Sequence, residues 1–153
     1  MLLWRICRQV HVKDAFTGAG ARLYGGRWNS AGVSVVYTST SLALAAIETF
    51  VHLEPNLQPD DLVSIACELP DDVALARIEM SSLPAGWRAS LESLRTIGDE
   101  WVHAAKSVGL RVPSAALRGE WNVLLNPAHR DFRRVRVQPP EEFQFDLRMF
   151  RAE

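Results

Sequence analysis

A chain of 153 residues and 17.1 kDa has the size of one ordinary domain, and its 48% hydrophobic and 23% charged residues argue against disorder and a coiled coil. With 17 basic against 18 acidic residues the net charge is −1 with His neutral, so a net-basic surface for gripping nucleic acid is absent and only a local patch stays open. No apolar run approaches the about 20 residues of a membrane span, and Arg5 interrupts the apolar start too early for a signal-peptide core; the expectation is a soluble cytoplasmic domain.

Residues Leu2–Val12 are rich in β-formers and predict a first strand. A glycine-rich stretch follows, GAGARLYGGRWNSAG, and then Val33–Ser39 (VSVVYTS) predicts a buried strand. Ser41–Glu54 is the clearest helix, with Ser41 as N-cap and Pro55 as its stop. Its Leu42, Leu44, Ile47, Phe50, Val51 and Leu53 make it apolar nearly all round, which predicts burial. Strands are expected at Leu62–Leu69 and Val73–Glu79, separated by Pro70-Asp71-Asp72. A second helix should cover Leu91–Val108 and end at Gly109, with Gly98 as a point where it could break. Leu110–Leu117, Val123–Leu125 and Phe132–Val137 read as further strands. Strands and two helices mix without regular βαβ alternation, so the fold class is α+β, a single domain over 1–153 with a mixed or largely antiparallel sheet.

Cys7 and Cys67 lie far apart in apolar stretches and form no C-x-x-C pair, so they read as two buried free thiols. With only two cysteines and no clustered His, no metal site is expected.

The glycine-rich stretch fails two phosphate-binding patterns. In GAGARL the third Rossmann position is Leu23 and no helix is expected to open there; no Gly-Lys-Ser/Thr supports a P-loop. What remains is Gly25-Gly26-Arg27-Trp28-Asn29, in which two glycines allow close backbone approach and Arg27 offers a planar charged fork for a phosphate. A plain turn with a solvated Arg is the competing reading.

Within Ser41–Leu53, Glu48 is the one charged side chain unless His52, four residues on along the same face, is protonated. A buried carboxylate is costly alone, so Glu48 should meet an Arg, a hydroxyl or a ligand. An E-x-x-x-H metal site lacks a third ligand, and a structural Glu–Arg pair competes with a catalytic role. Ser114 and Asn122 place polar groups in apolar strands, but no Gly-x-Ser-x-Gly elbow surrounds Ser114. The run Arg130–Arg136 (RDFRRVR) carries four arginines and one Asp. As a strand it would put Arg134 and Arg136 on one face with Phe132, either a charge-protected edge or a docking surface for a partner or nucleic acid.

Several segments together resemble the RES-domain toxins of bacterial toxin–antitoxin pairs: Trp4-Arg5, GGRWNSAGVSVVYTSTSLALAAIETFVHLE, VPSA and WNVLLNPAHRDF. The similarity spans about Leu2 to Phe150. One departure is Arg130, where a proline often follows the His. The resemblance implies a fold similar to ADP-ribosyltransferase toxins and action on NAD+, either by hydrolysis or phosphorolysis or by transfer of ADP-ribose to a protein. It assigns Arg27, Glu48 and Ser114 to catalysis and Arg5, Arg27, Tyr37, Ser114 and Asn122 to NAD+ binding. Arg27 and Arg5 would hold the pyrophosphate, Tyr37 would stack on the cationic nicotinamide, Glu48 would bind ribose hydroxyls or stabilise developing positive charge, and Ser114 would hydrogen-bond the carboxamide or ribose. It also implies an Xre-like antitoxin with a helix-turn-helix, through which alone DNA would be contacted.

Overall fold

The computed structural model describes residues 1–54 and 57–150. Among these residues eight strands form one sheet: β1 (Leu2–Arg8), β2 (Val36–Ser39), β3 (Leu62–Glu68), β4 (Leu75–Arg77), β5 (Gly109–Pro113), β6 (Trp121–Leu125), β7 (Arg136–Val137) and β8 (Glu141–Glu142). Their order is β4-β5-β6-β2-β1-β3-β7, with β8 also paired to β3. All neighbours are antiparallel except β4 and β5. Three α-helices accompany them among the described residues: α1 (Ala19–Tyr24), α2 (Leu42–Phe50) and α3 (Leu91–Ala104). The α+β class with a mixed sheet is the one expected from the sequence.

Alternation divides the sheet between two cores. Leu110 and Val112 of β5 and Leu124 of β6 face a cluster with Trp28, Trp87 and, from α3, Leu94 and Trp101. Val123 and Leu125 face the other way, onto Leu3, Val36, Cys67, Leu69 and Val108. Fully burying each such aliphatic side chain contributes about 1.5–3 kcal/mol, so the period-2 pattern holds the register.

Strand ends differ from the sequence reading where the partner strand runs out. β1 stops at Arg8 rather than Val12, because its ladder with β3 ends at Arg8 opposite Leu62; Gln9–Asp14 then wind into a 3-10 turn. β2 begins at Val36, since its partner β6 ends at Leu125 opposite it. β4 is confined to three residues, and β5 ends at Pro113, so Ser114–Leu117 leave the sheet. Phe132–Val137 is not a strand: Arg130–Arg134 form a 3-10 turn, opened by the Asp131 N–H donating to His129 Nδ1 at 3.1 Å, and only Arg136–Val137 pair with β3. The expected grouping of Arg134 and Arg136 with Phe132 on one strand face therefore does not occur. Arg134 instead donates to both carboxylate oxygens of Asp72, at 2.6 and 2.7 Å.

The helices correct the reading in three places. A short helix, α1, does open inside GAGARL, ended by Gly25 at φ 71°, a conformation glycine adopts without steric cost. Ser41 caps α2 as expected, its Oγ accepting from the Leu44 N–H at 3.1 Å, but the helix ends at Phe50, and Pro55 lies outside the described residues. Nor is α2 buried all round. Leu44 and Ala45 alone are fully buried, because one side lies on β1 and β2 while the end carries Phe50 against Phe145 and Phe150, with ring centroids 5.6 and 5.5 Å away.

The third helix runs unbroken through Gly98, whose missing Cβ lets the helix lie against the carbonyl of Trp28. It ends at Ala104, closed by Ala105 in the left-handed region (φ 47°), four residues short of Val108. Gly109 is the first residue of β5, where an added Cβ would meet Leu75 at 2.7 Å. Cys67 is buried and Cys7 half-buried, both as free thiols.

Candidate active site

A cleft of about 610 Å³ opens between α2, the glycine-rich segment, the middle of β1, β2 and the adjoining ends of β5 and β6. It is walled by Arg5, Arg27, Tyr37, Glu48 and Asn122, five of the six residues singled out from the sequence.

Glu48 projects from the half-buried flank of α2. Its Oε1 accepts two hydrogen bonds, from Ser114 Oγ at 2.6 Å and Asn122 Nδ2 at 2.5 Å. Each donor is aimed from behind. Ser114 Oγ accepts from the Leu117 N–H at 2.9 Å, which directs the hydroxyl proton towards Glu48. Asn122 Oδ1 accepts from Ser39 Oγ at 2.7 Å, which turns the amide NH₂ inward. Among the described residues no Lys or Arg lies within ion-pair distance of Glu48, so it is no structural Glu–Arg pair. Ser114 itself is almost wholly buried and stands behind Glu48 rather than on the cleft wall.

The facing wall is the turn Gly25–Ser30. Asn29, fully buried, ties it together. Its Nδ2 reaches the carbonyls of Ala21, Ser30 and Val33 at 2.8–3.0 Å, and its Oδ1 accepts from Tyr37 Oη at 2.7 Å. Tyr37 Oη in turn accepts from the Trp28 N–H at 3.0 Å. Burial pushes the Tyr37 hydroxyl up to about 12, so it remains a donor throughout the physiological range. A Cβ at Gly26 would lie 2.5 Å from that oxygen, which is why the turn needs its second glycine. From α3, Arg95 donates to the Gly26 carbonyl at 2.8 Å and the Ser30 N–H donates to Asp99 at 2.9 Å.

Two cations reach the cleft from different depths. Arg27 donates through Nη1 to the Arg88 carbonyl at 2.7 Å. Arg5 is half-buried; its Nη1 donates to the Tyr37 carbonyl at 2.9 Å while its Nε is buried with no partner among the described residues. Burial lowers the pKa of Arg5, the mark of a desolvated cation that an anion would favour. His52 lines the rim one turn beyond Glu48. Among the described residues no group of three His, Cys, Asp or Glu side chains is placed to hold a metal. The arginines of Arg130–Arg136 lie outside the cleft.

Sequence reasoning passed over Ser39, Arg95 and Asp99, which orient the cleft residues. Nothing local could reveal them, since their partners lie 69 to 83 positions away.

The RES domain family profile matches residues 2–147. Over 155 aligned residues the chain is 36% identical to Toxin Res of Photorhabdus laumondii, covering 99% of both proteins. It is 37% identical to the Prs ADP-ribosylating toxin of Sphingobium sp. strain YBL2, covering 97% of this chain and 96% of that one. In fold it is similar to a chain from the crystal structure of the M. tuberculosis MbcT–MbcA toxin–antitoxin complex, with a TM-score of 0.70 over 94% of this chain and 84% of that one at 15% identity. Matched by the family profile over nearly its whole length and by relatives that are more than a third identical, this chain belongs to the RES domain family.

Proposed function

We propose that this RES-domain protein is the toxin of a bacterial toxin–antitoxin pair and that it acts on NAD+, cleaving the bond between nicotinamide and ribose. The observation that carries this reading is the cleft's charge arrangement: a carboxylate held by two aimed donors and free of any ion pair among the described residues, facing two arginines. Such a cleft suits a dianionic pyrophosphate at one end and a developing cation at the other.

Cleavage passes through an oxocarbenium-like state at the ribose carbon as nicotinamide leaves. Arg27 and Arg5 bind the pyrophosphate, where guanidinium forks match phosphate oxygens. Tyr37 presents its ring to the nicotinamide, whose charge favours a π face. Glu48 is the catalytic carboxylate: Oε1 is occupied by Ser114 and Asn122, which leaves Oε2 to meet the ribose hydroxyls and the positive charge that develops beside them. Ser114 serves catalysis by positioning Glu48. Because these donors are set before substrate arrives, little reorganisation is needed in the transition state.

The decisive experiment is mass analysis of the products after incubation with NAD+, with and without phosphate. Free ADP-ribose indicates hydrolysis, ADP-ribose-1″-phosphate indicates phosphorolysis, and no released nicotinamide under either condition would remove the reading. A second reading, transfer of ADP-ribose to a protein, is favoured by the name of the 37%-identical Sphingobium relative; it predicts label from NAD+ on a polypeptide.

A toxin with this activity requires restraint, so the proposed partner is an Xre-like helix-turn-helix antitoxin, with DNA contacted through the complex. The proposed location is the cytoplasm, where NAD+ is found; no helix among the described residues is long and apolar enough to cross a membrane.

A further inference from the structure

The same cleft has an apolar mouth that the charge arrangement does not use. Tyr24, the last residue of α1, lines the cleft yet is 81% exposed, and Leu91, the first residue of α3, lines it at 40% exposed. Neither belongs to a core cluster. Both lie near Arg27 along the chain or near its partner Arg88. Tyr24 stands three residues before it, on the far side of the Gly25-Gly26 turn, and Leu91 stands three residues after Arg88, whose carbonyl Arg27 holds at 2.7 Å. At the other side of the turn, Gly26 lies against Tyr37, and β2 runs from Tyr37 to Ser39, which donates to Asn122 of β6, itself a donor to Glu48 of α2. Glu48 and Arg27 thus line the same cleft from different elements, and Tyr24 and Leu91 line it as the near chain neighbours of Arg27 and of the Arg88 that Arg27 holds.

In a dinucleotide the pyrophosphate joins the reacting ribose to the adenosine half. With the reacting ribose at Glu48 and the pyrophosphate at Arg27, the adenosine half must leave in the direction of Tyr24 and Leu91. An exposed aromatic ring and an exposed aliphatic side chain lining one cleft offer a surface on which a purine can stack, and stacking buries apolar area on both partners. We infer that Tyr24 and Leu91 form the adenine subsite of this cleft and set its preference for a dinucleotide over nicotinamide mononucleotide. The inference rests on the NAD+ reading above.

The test uses the full chain and its Tyr24→Ala, Tyr24→Phe and Leu91→Ala variants. Tyr24 is too exposed for its truncation to unfold the protein. Nicotinamide release and ADP-ribose binding by calorimetry are measured on each. Expected for Tyr24→Ala is a roughly tenfold rise in KM for NAD+ and in Kd for ADP-ribose, with kcat unchanged. Tyr24→Phe, which keeps the ring, should return both to within about twofold, and Leu91→Ala should show a smaller rise. Cleavage of nicotinamide mononucleotide, which has no adenine, should be the same in all four proteins. An unchanged KM and Kd in Tyr24→Ala, or an equal loss towards the mononucleotide, overturns the subsite. So does a variant that keeps ADP-ribose affinity but escapes antitoxin inhibition, which would give the mouth to the protein partner. Should the wild type release no nicotinamide, the cleavage reading falls. ADP-ribose binding then still decides the subsite: tenfold weaker binding in Tyr24→Ala supports it, and equal binding, or none by the wild type, overturns it.

Discussion

The two walls of the cleft are built on different principles. On the α2 wall one carboxylate is held by side chains, each locked from behind by another polar group: Leu117 N–H behind Ser114, and Ser39 behind Asn122. On the facing wall the held object is backbone. The turn Gly25–Ser30 is gripped by Asn29, Tyr37, Arg95 and Asp99, and it lies close to α3 because Gly98 has no side chain. The first arrangement orients a charge; the second shapes a surface on which Arg27 rides. Loss of function should therefore separate from loss of structure on the α2 wall and not on the other.

The sharpest way to test that separation is Glu48→Gln. It keeps an acceptor oxygen for Ser114 and Asn122 but removes the charge, so turnover should fall by about 10²-fold or more, a barrier increase of about 3 kcal/mol. KM and melting temperature should change little, because the lost interaction strengthens only in the transition state. A variant that melts far earlier but turns over NAD+ normally when kept folded would make Glu48 structural.

Gly98→Ala probes the other wall. The new Cβ would collide with the Trp28 carbonyl, so α3 or the turn must shift, at a cost of about 3 kcal/mol in stability. Melting temperature and affinity for NAD+ should fall together here; a fall in one alone would contradict a shared origin.

High pH reads the same wall through Tyr37. Its folded hydroxyl titrates at about 12 against 10.0 in the unfolded chain, so the native state keeps a proton that the unfolded state has lost. That contribution to stability is fully present below pH 10 and disappears as pH rises towards 12, by about 3 kcal/mol in total. Cys67, pushed up to about 12 by burial from 9.0, adds a loss of the same sign that begins about one pH unit lower. Tyr37→Phe should melt lower at neutral pH but show a shallower decline above pH 10 in urea titrations. An unchanged slope would mean that Tyr37 ionises freely.

The smallest effect belongs outside both walls. Neutralising Arg133, Arg134 and Arg136 should leave nicotinamide release unaltered, since Arg134 meets the exposed Asp72 and the segment lies away from the cleft. Abolished toxicity in that triple variant, with Glu48→Gln still toxic, would favour a binding module over an enzyme.

The placement of β3, α2 and the α+β class was legible in the sequence because it rests on local periodicity and on Ser41 as a cap. Strand ends were less legible, since a strand lasts only as long as its neighbour, as Arg8 opposite Leu62 and Val36 opposite Leu125 make plain. In Arg130–Arg134 the β-like alternation yielded to a turn started by His129 and held by Asp72, neither of which a period-2 pattern contains.

By itself the sequence determined the family, the residue types of the cleft and the need of Glu48 for a partner, because motif spacing and the cost of an unpaired carboxylate are properties of the chain. Only the tertiary structure decided which partner Glu48 takes. Ser114 and Asn122 arrive from the end of β5 and from β6, 66 and 74 positions away, and a carboxylate is satisfied by whichever donors the fold brings within reach. For the same reason Gly98, which reads as a weak point of a helix, is the place where that helix meets the cleft wall: contact distance is set by packing across the molecule.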